Sequence, residues 1–185
     1  PPVLPENQGF VSIDFISQFD FGEVPILSST TRYPAKPQAL REVYEDVHEG
    51  DRPNYIQVSD RRVATTGWTL SARLSEEGFV GTHDERQRLR GASVYLSNIH
   101  MVTTGSNESE TPDYQEAIEL IAGQSKTLAS AQENRGGGTW IQHYGSSETM
   151  ENSVELEVPL GANPQATAYR GTIYWELSFV PGPES

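Results

Sequence analysis

The chain contains no cysteine. Disulfides and thiolate metal sites are therefore excluded, while the compartment stays open, because exported proteins of organisms that do not rely on disulfides lack cysteine as readily as cytosolic ones. It also lacks any apolar run approaching the ~18 residues that a membrane-spanning helix needs, so no membrane insertion of that kind is expected. Basic residues are scarce: 13 against 26 acidic ones, for a net charge of −13. That balance argues against nucleic acid, since phosphate binding requires a dense basic face from which counterions are released. It also opposes long-range attraction to anionic polymers in general.

Catalytic signatures are missing too. There is no Gly-x-Ser-x-Gly elbow, no thiol nucleophile and no glycine-rich loop ending in Lys-Ser or Lys-Thr. The triple glycine at 136 to 138 has no basic residue or helix behind it and reads as a turn. His48, His83, His100 and His143 show no pair at helix or hairpin ligand spacing, so neither a metal nor another cofactor is expected. Glycoside hydrolysis would need paired carboxylates, for which Glu155 with Glu157 or Asp84 with Glu85 are available. With 26 acids in the chain such pairs arise by chance, and the reading is non-enzymatic.

What the sequence does contain is period-two alternation. In Phe10–Gly22 the residues Val11, Ile13, Phe15, Phe19 and Phe21 point one way and Ser12, Asp14, Gln18 and Asp20 the other, as in one strand or two short ones meeting near Ser17. Tyr55–Asp60, Trp68–Leu74, Ala92–Leu96, Thr139–Ile141, Val154–Leu160 and Gly171–Val180 repeat the pattern between glycine and proline turns. Ile118, Leu120 and Leu128, on either side of Gly123-Gln124-Ser125, predict a hairpin in preference to a helix capped near Thr111. Ser28–Glu49 reads as loop with a short helix near Ala39–Val43. Ser75–Arg90 and Thr103–Thr111 read as charged or polar loops. The expected fold is all-β, an antiparallel two-sheet β-sandwich, because one-sided strands must bury their apolar face against another sheet; a closed β-barrel is the alternative. Residues 1–8 are proline-rich and read as an extended linker from which any signal peptide has already been removed, and residues 9–185 as a single domain.

Two basic clusters stand out: Arg61 with Arg62, and Arg86, Arg88 and Arg90, which would share one side of an extended chain. They suit surface contact with the phosphates or carboxylates of a polymer, or balance acids such as Asp84 and Glu85.

The strongest signal is a doubled triplet. Trp68-Thr69-Leu70 and Trp175-Glu176-Leu177 each place a Trp and a Leu on one face of a strand, roughly 7 Å apart. With Ser12-Ile13-Asp14-Phe15, Phe19-Asp20-Phe21-Gly22, Val58-Ser59-Asp60, Gly91-Ala92, Gly138-Thr139-Trp140 and Val158-Pro159, they make the chain resemble the WxL cell-surface domain family of Gram-positive bacteria from Gly9 to Pro181. The resemblance implies a secreted protein held non-covalently on peptidoglycan at the cell surface, with Trp68, Leu70, Trp175 and Leu177 associated with that attachment. Other cell-surface proteins or host matrix proteins are the alternative partners. Read from the residues alone, the stripes Trp68, Leu70, Ala72, Leu74 and Ile173, Trp175, Leu177, Phe179 are what a sandwich core needs, so both Trp side chains are expected to be mainly buried.

Overall fold

The computed structural model describes residues 10–39, 50–104 and 111–179. Within them lie twelve strands and one 3₁₀ turn, Met150–Asn152. The strands are β1 (Val11–Ile16), β2 (Thr31–Pro34), β3 (Asn54–Asp60), β4 (Trp68–Gly81), β5 (Arg88–Leu89) and β6 (Ser93–Leu96), followed by β7 (Ile99–Thr103), β8 (Ile118–Leu120), β9 (Ser125–Ala131), β10 (Gly138–Tyr144), β11 (Val154–Val158) and β12 (Tyr169–Phe179). Every pairing is antiparallel.

The strands form three open sheets. One runs β1-β3-β10-β7 and a second β2-β11-β6-β8. In the third, β4 is central, with β12 on one side and β9 and β5 along the other. None closes on itself, so the architecture is the sandwich type and the barrel alternative does not apply.

Alternation explains the packing. In β10, Trp140, Gln142 and Tyr144 are buried while Thr139, Ile141 and His143 are partly exposed. The inward faces of the sheets share one hydrophobic cluster that includes Ile56, Leu70, Leu96, Leu128 and Val154. A buried amide joins two sheets: Gln142 Nε2 donates to the Leu128 carbonyl (2.9 Å), and its Oε1 accepts from the Tyr144 hydroxyl (2.9 Å). A fully satisfied buried polar group of this kind specifies how the layers dock, whereas an unsatisfied one would cost roughly 1–3 kcal/mol. Burial pushes the Tyr144 phenol up, so it remains a donor at any ordinary pH.

Several expectations change on folding. Ser75–Arg90 is largely not loop, because β4 continues for 14 residues to Gly81 and turns back into β5. The expected hairpin has the right strands but different partners: β8 pairs with β6 and β9 with β4, so the connection crosses between sheets, and Gly123 N donates to the Leu74 carbonyl. A bulge between Ile13 and Phe15 breaks the alternation of β1. Phe15 is thereby turned outward, 37% exposed, and stacks on Tyr55 with centroids 4.5 Å apart. β2 and β7 form where loop, or no strand, was expected. The expected helix near Ala39–Val43 falls mainly on residues 40–49, and the middle of the 103–111 loop on 105–110. Both segments, like the linker at 1–8, lie outside the described residues.

Candidate functional site

The two Trp-x-Leu triplets lie side by side. β12 pairs with β4 so that Leu70 faces Leu177, Ala72 faces Trp175 and Trp68 faces Phe179. Residues directly opposite in an antiparallel pair project to the same face. The motif side chains therefore form one inward patch built by two neighbouring strands.

The patch has a buried half and a rim. Trp68, Leu70, Ala72 and Leu74 are at most 2% exposed, because β4 is flanked on both sides. Trp175 and Leu177 are only half-buried, since β12 is an edge strand with one neighbour. The expectation of burial thus fits Trp68 fully and Trp175 in part. Trp175 is held by an edge-on contact with Phe19 (6.3 Å, 74°), whose ring also meets Tyr144 (6.1 Å, 82°). Phe19 comes from the Phe-Asp-Phe-Gly stretch, which gives that stretch a physical task.

Trp68 donates its indole N–H to the Gly136 carbonyl (3.0 Å), and Trp140 donates its own to the Gly137 carbonyl (3.0 Å). The triple glycine, expected to be a turn, is a bend at Gly136 that leads into β10 at Gly138, and Gly136 and Gly137 supply the acceptors for both fully buried indoles. Gly136 has φ +72°, and a Cβ there would sit 2.5 Å from Ala131 Cβ and 2.7 Å from Trp68 Nε1. Only glycine fits. Sequence reading could not see this role, because nothing local links positions 68 and 136.

The arginines separate into different environments. Arg62, expected on the surface beside Arg61, is inside: its side chain is 9% exposed and grips the fully buried Asp60 carboxylate through two bonds of 2.9 Å. It also donates to Thr66 Oγ1 (2.8 Å) and the Gly67 carbonyl (3.0 Å), and its guanidinium lies 5.2 Å from the Phe179 ring centroid. Arg62 therefore clamps the end of the sheet where both motif strands meet. Arg61 is exposed over Phe10. Arg86, Arg88 and Arg90 do not make one extended row, because β5 is only two residues long. Arg86 folds back on Asp84 (3.0 Å), and its hydrogen bonds hold that carboxyl below the usual range. Arg88 and Arg90 are exposed.

Two histidines that spacing kept apart are brought together. His100 on β7 and His143 on β10 are directly opposite, with rings stacked 5.0 Å apart at 18°. Tyr55 and Phe15 extend the row across β3 and β1. Burial, then His100, then Arg52 push the His143 imidazole down to about 4. Its Nδ1 is buried without a hydrogen-bond partner. Among the described residues no group of three or more His, Cys, Asp or Glu side chains is placed to hold a metal.

Two shallow clefts open on the β4–β12 sheet. One, of about 280 Å³, lies at its Trp68–Phe179 end and is bordered by Thr66, Thr69 and Ser178. The other, of about 440 Å³, lies over a large irregularity in which Ser75–Gly78 of β4 and Thr172 of β12 fall between the paired positions Leu74–Ile173 and Phe79–Gly171. Its walls include Glu77, Glu85, Arg88, Arg170, Thr172 and Tyr174.

No curated protein and no solved structure matches the chain. A family model described as "WxL domain surface cell wall-binding" matches residues 1–181, and that span contains both Trp-x-Leu strands and every cleft just described. The chain belongs to the WxL family of surface cell-wall-binding domains.

Proposed function

We propose that this domain attaches non-covalently to the peptidoglycan of a Gram-positive cell surface and does so without catalysis. The contact surface in this reading is the outer face of the β4–β12 sheet. One observation carries it: the motif side chains Trp68, Leu70, Trp175 and Leu177 face inward from paired strands. Their alternating neighbours face outward as cross-strand pairs, Thr69 with Ser178, Ser71 with Glu176 and Arg73 with Tyr174. Hydroxyls and an aromatic ring on one exposed face suit a hydroxyl-rich glycan. The motif acts on attachment indirectly, by holding that face in shape.

Co-sedimentation with purified peptidoglycan tests the proposal. Wild type is expected in the pellet, Trp68→Ala is expected to lose binding together with its circular dichroism signature, and Tyr174→Ala is expected to weaken binding while the fold persists. A well-folded wild type that stays in the supernatant across salt and pH would overturn the reading.

A protein partner is the second reading, favoured by the open edge of β12, an eleven-residue strand paired on one side only. Such an edge accepts an added strand from another surface protein or a host matrix protein. Pull-down from surface extracts should then recover a partner that a proline in the open edge of β12 abolishes.

A further inference from the structure

The cleft over the irregularity in β4 and β12 gathers charged side chains of both signs at one opening. The net charge is −13, and four of the eight other described arginines sit on acids: Arg32 on Glu157, Arg62 on Asp60, Arg86 on Asp84 and Arg135 on Asp113. Arg88 and Arg170 do not. Both border the cleft together with Glu77 and Glu85, and among the described residues none of these four side chains has an ion-pair partner within 4 Å or a side-chain hydrogen bond.

Register explains how the two cations come to share a wall. Arg170 on β12 faces Val80 on β4, and Val80 in turn faces Arg88 on β5. Opposite residues project to the same side, so the guanidinium groups rise from one row on either side of Val80, with backbones about 10 Å apart, two strand spacings. The bulged Ser75–Gly78 segment brings Glu77 to the same opening, and the turn before β5 brings Glu85. Tyr174 closes one end, its ring braced 4.8 Å from the Arg73 guanidinium.

A cleft with separated, unpaired charges of both signs is poorly matched to a neutral glycan, which would leave all four without partners. It is equally poorly matched to a polyanion, which the two carboxylates and the net charge repel. It matches a short ligand that carries a carboxylate and an ammonium some distance apart. A volume of about 440 Å³ suits a ligand of a few residues. Resting on the wall-attachment reading above, we propose that this cleft binds the peptide branch of peptidoglycan, with Arg88 and Arg170 on its free carboxylates and Glu77 and Glu85 on its free amino group.

Isothermal titration of the intact domain with a soluble disaccharide-peptide released from peptidoglycan tests this, beside the peptide-free disaccharide and the same fragment with its amine acetylated. The intact fragment should bind, acetylation should weaken it severalfold, and the peptide-free sugar should not compete. The double variant Arg88→Gln with Arg170→Gln should weaken binding by about tenfold or more, the order expected for lost charge-assisted hydrogen bonds. Arg86→Gln, outside the cleft, should leave binding unchanged, and all variants should keep the wild-type dichroism spectrum. If wild type and the double variant pellet with whole peptidoglycan equally well, or the peptide-free sugar competes fully, this inference fails and wall attachment stands. If wild type neither pellets with the wall nor binds the fragment, both fail.

Discussion

Replacing Trp68 by alanine should separate the two motif tryptophans by their energetics. Trp68 is 2% exposed in the central strand of its sheet. Truncating a buried Trp to Ala costs about 3–5 kcal/mol through lost burial and the cavity left behind. The change also removes the donor for the Gly136 carbonyl, which places the expected loss in the upper half of that range. Whole-domain stability is about 5–15 kcal/mol, and each kcal/mol moves the midpoint of a domain this size by about 2–4 °C. Trp68→Ala should therefore melt about 8–20 °C below wild type. Trp175 is half-buried on an edge strand and has no comparable indole bond among the described residues, so Trp175→Ala should lose about half as much. Thermal melts followed by near-ultraviolet circular dichroism give both values. Equal losses for the two variants, or a Trp68→Ala loss below about 1 kcal/mol, which surface substitutions rarely exceed, would refute the assignment of Trp68 to the core and Trp175 to the rim.

Gly136→Ala should destabilise by about 2–4 kcal/mol in urea titration, because it combines a positive φ of +72° with overlap onto Trp68 and Ala131. Arg62→Ala leaves the Asp60 carboxylate buried without its counter-charge, held among the described residues only by the residue 62 backbone N–H, and should cost about 3–5 kcal/mol, with Asp60→Asn in the Arg62→Ala background recovering part of it. The His143 imidazole is held at about 4 in the fold against 6.5 unfolded, so the unfolded chain binds a proton that the folded one refuses between those values. Its contribution is fully present above pH 6.5 and is lost as pH falls toward 4. Discounted for solvent screening of a partly exposed ring, the loss is about 1–2 kcal/mol. His143→Asn should flatten the dependence of the denaturation midpoint on pH over that window, and an unchanged slope would remove His143 as its source.

Much of the fold was legible because alternation is a local property. The patterns of β3, β4, β6, β10, β11 and β12 each announce a strand with one apolar face, and several such strands with no long amphipathic helix require sheets stacked on sheets. β7 escaped because Val102 and His100 face outward beside inward Ile99 and Met101, which blurs the period. β2 escaped because Tyr33 is its only buried residue. The bulge that turns Phe15 outward was invisible, since a one-residue insertion depends on how β1 meets β3.

The candidate site was less legible, for a related reason. Arg88 was noted for its neighbours in the chain, yet the residue that shares its row is Arg170, brought there by the pairing of β5, β4 and β12. His100 and His143 meet in the same way, through strand pairing. By itself the sequence determined that the chain is β-structured, that the Trp-x-Leu residues share faces within their strands, and which family it resembles. The tertiary structure decided that the two motifs are neighbours, that Trp68 is central while Trp175 is at an edge, that Arg62 is internal, and that unpaired charges of both signs border one cleft. The physical reason is that period-two patterning tells a side chain which face it takes, whereas burial, pairing and charge neighbourhood depend on which distant strand supplies the next row of hydrogen bonds.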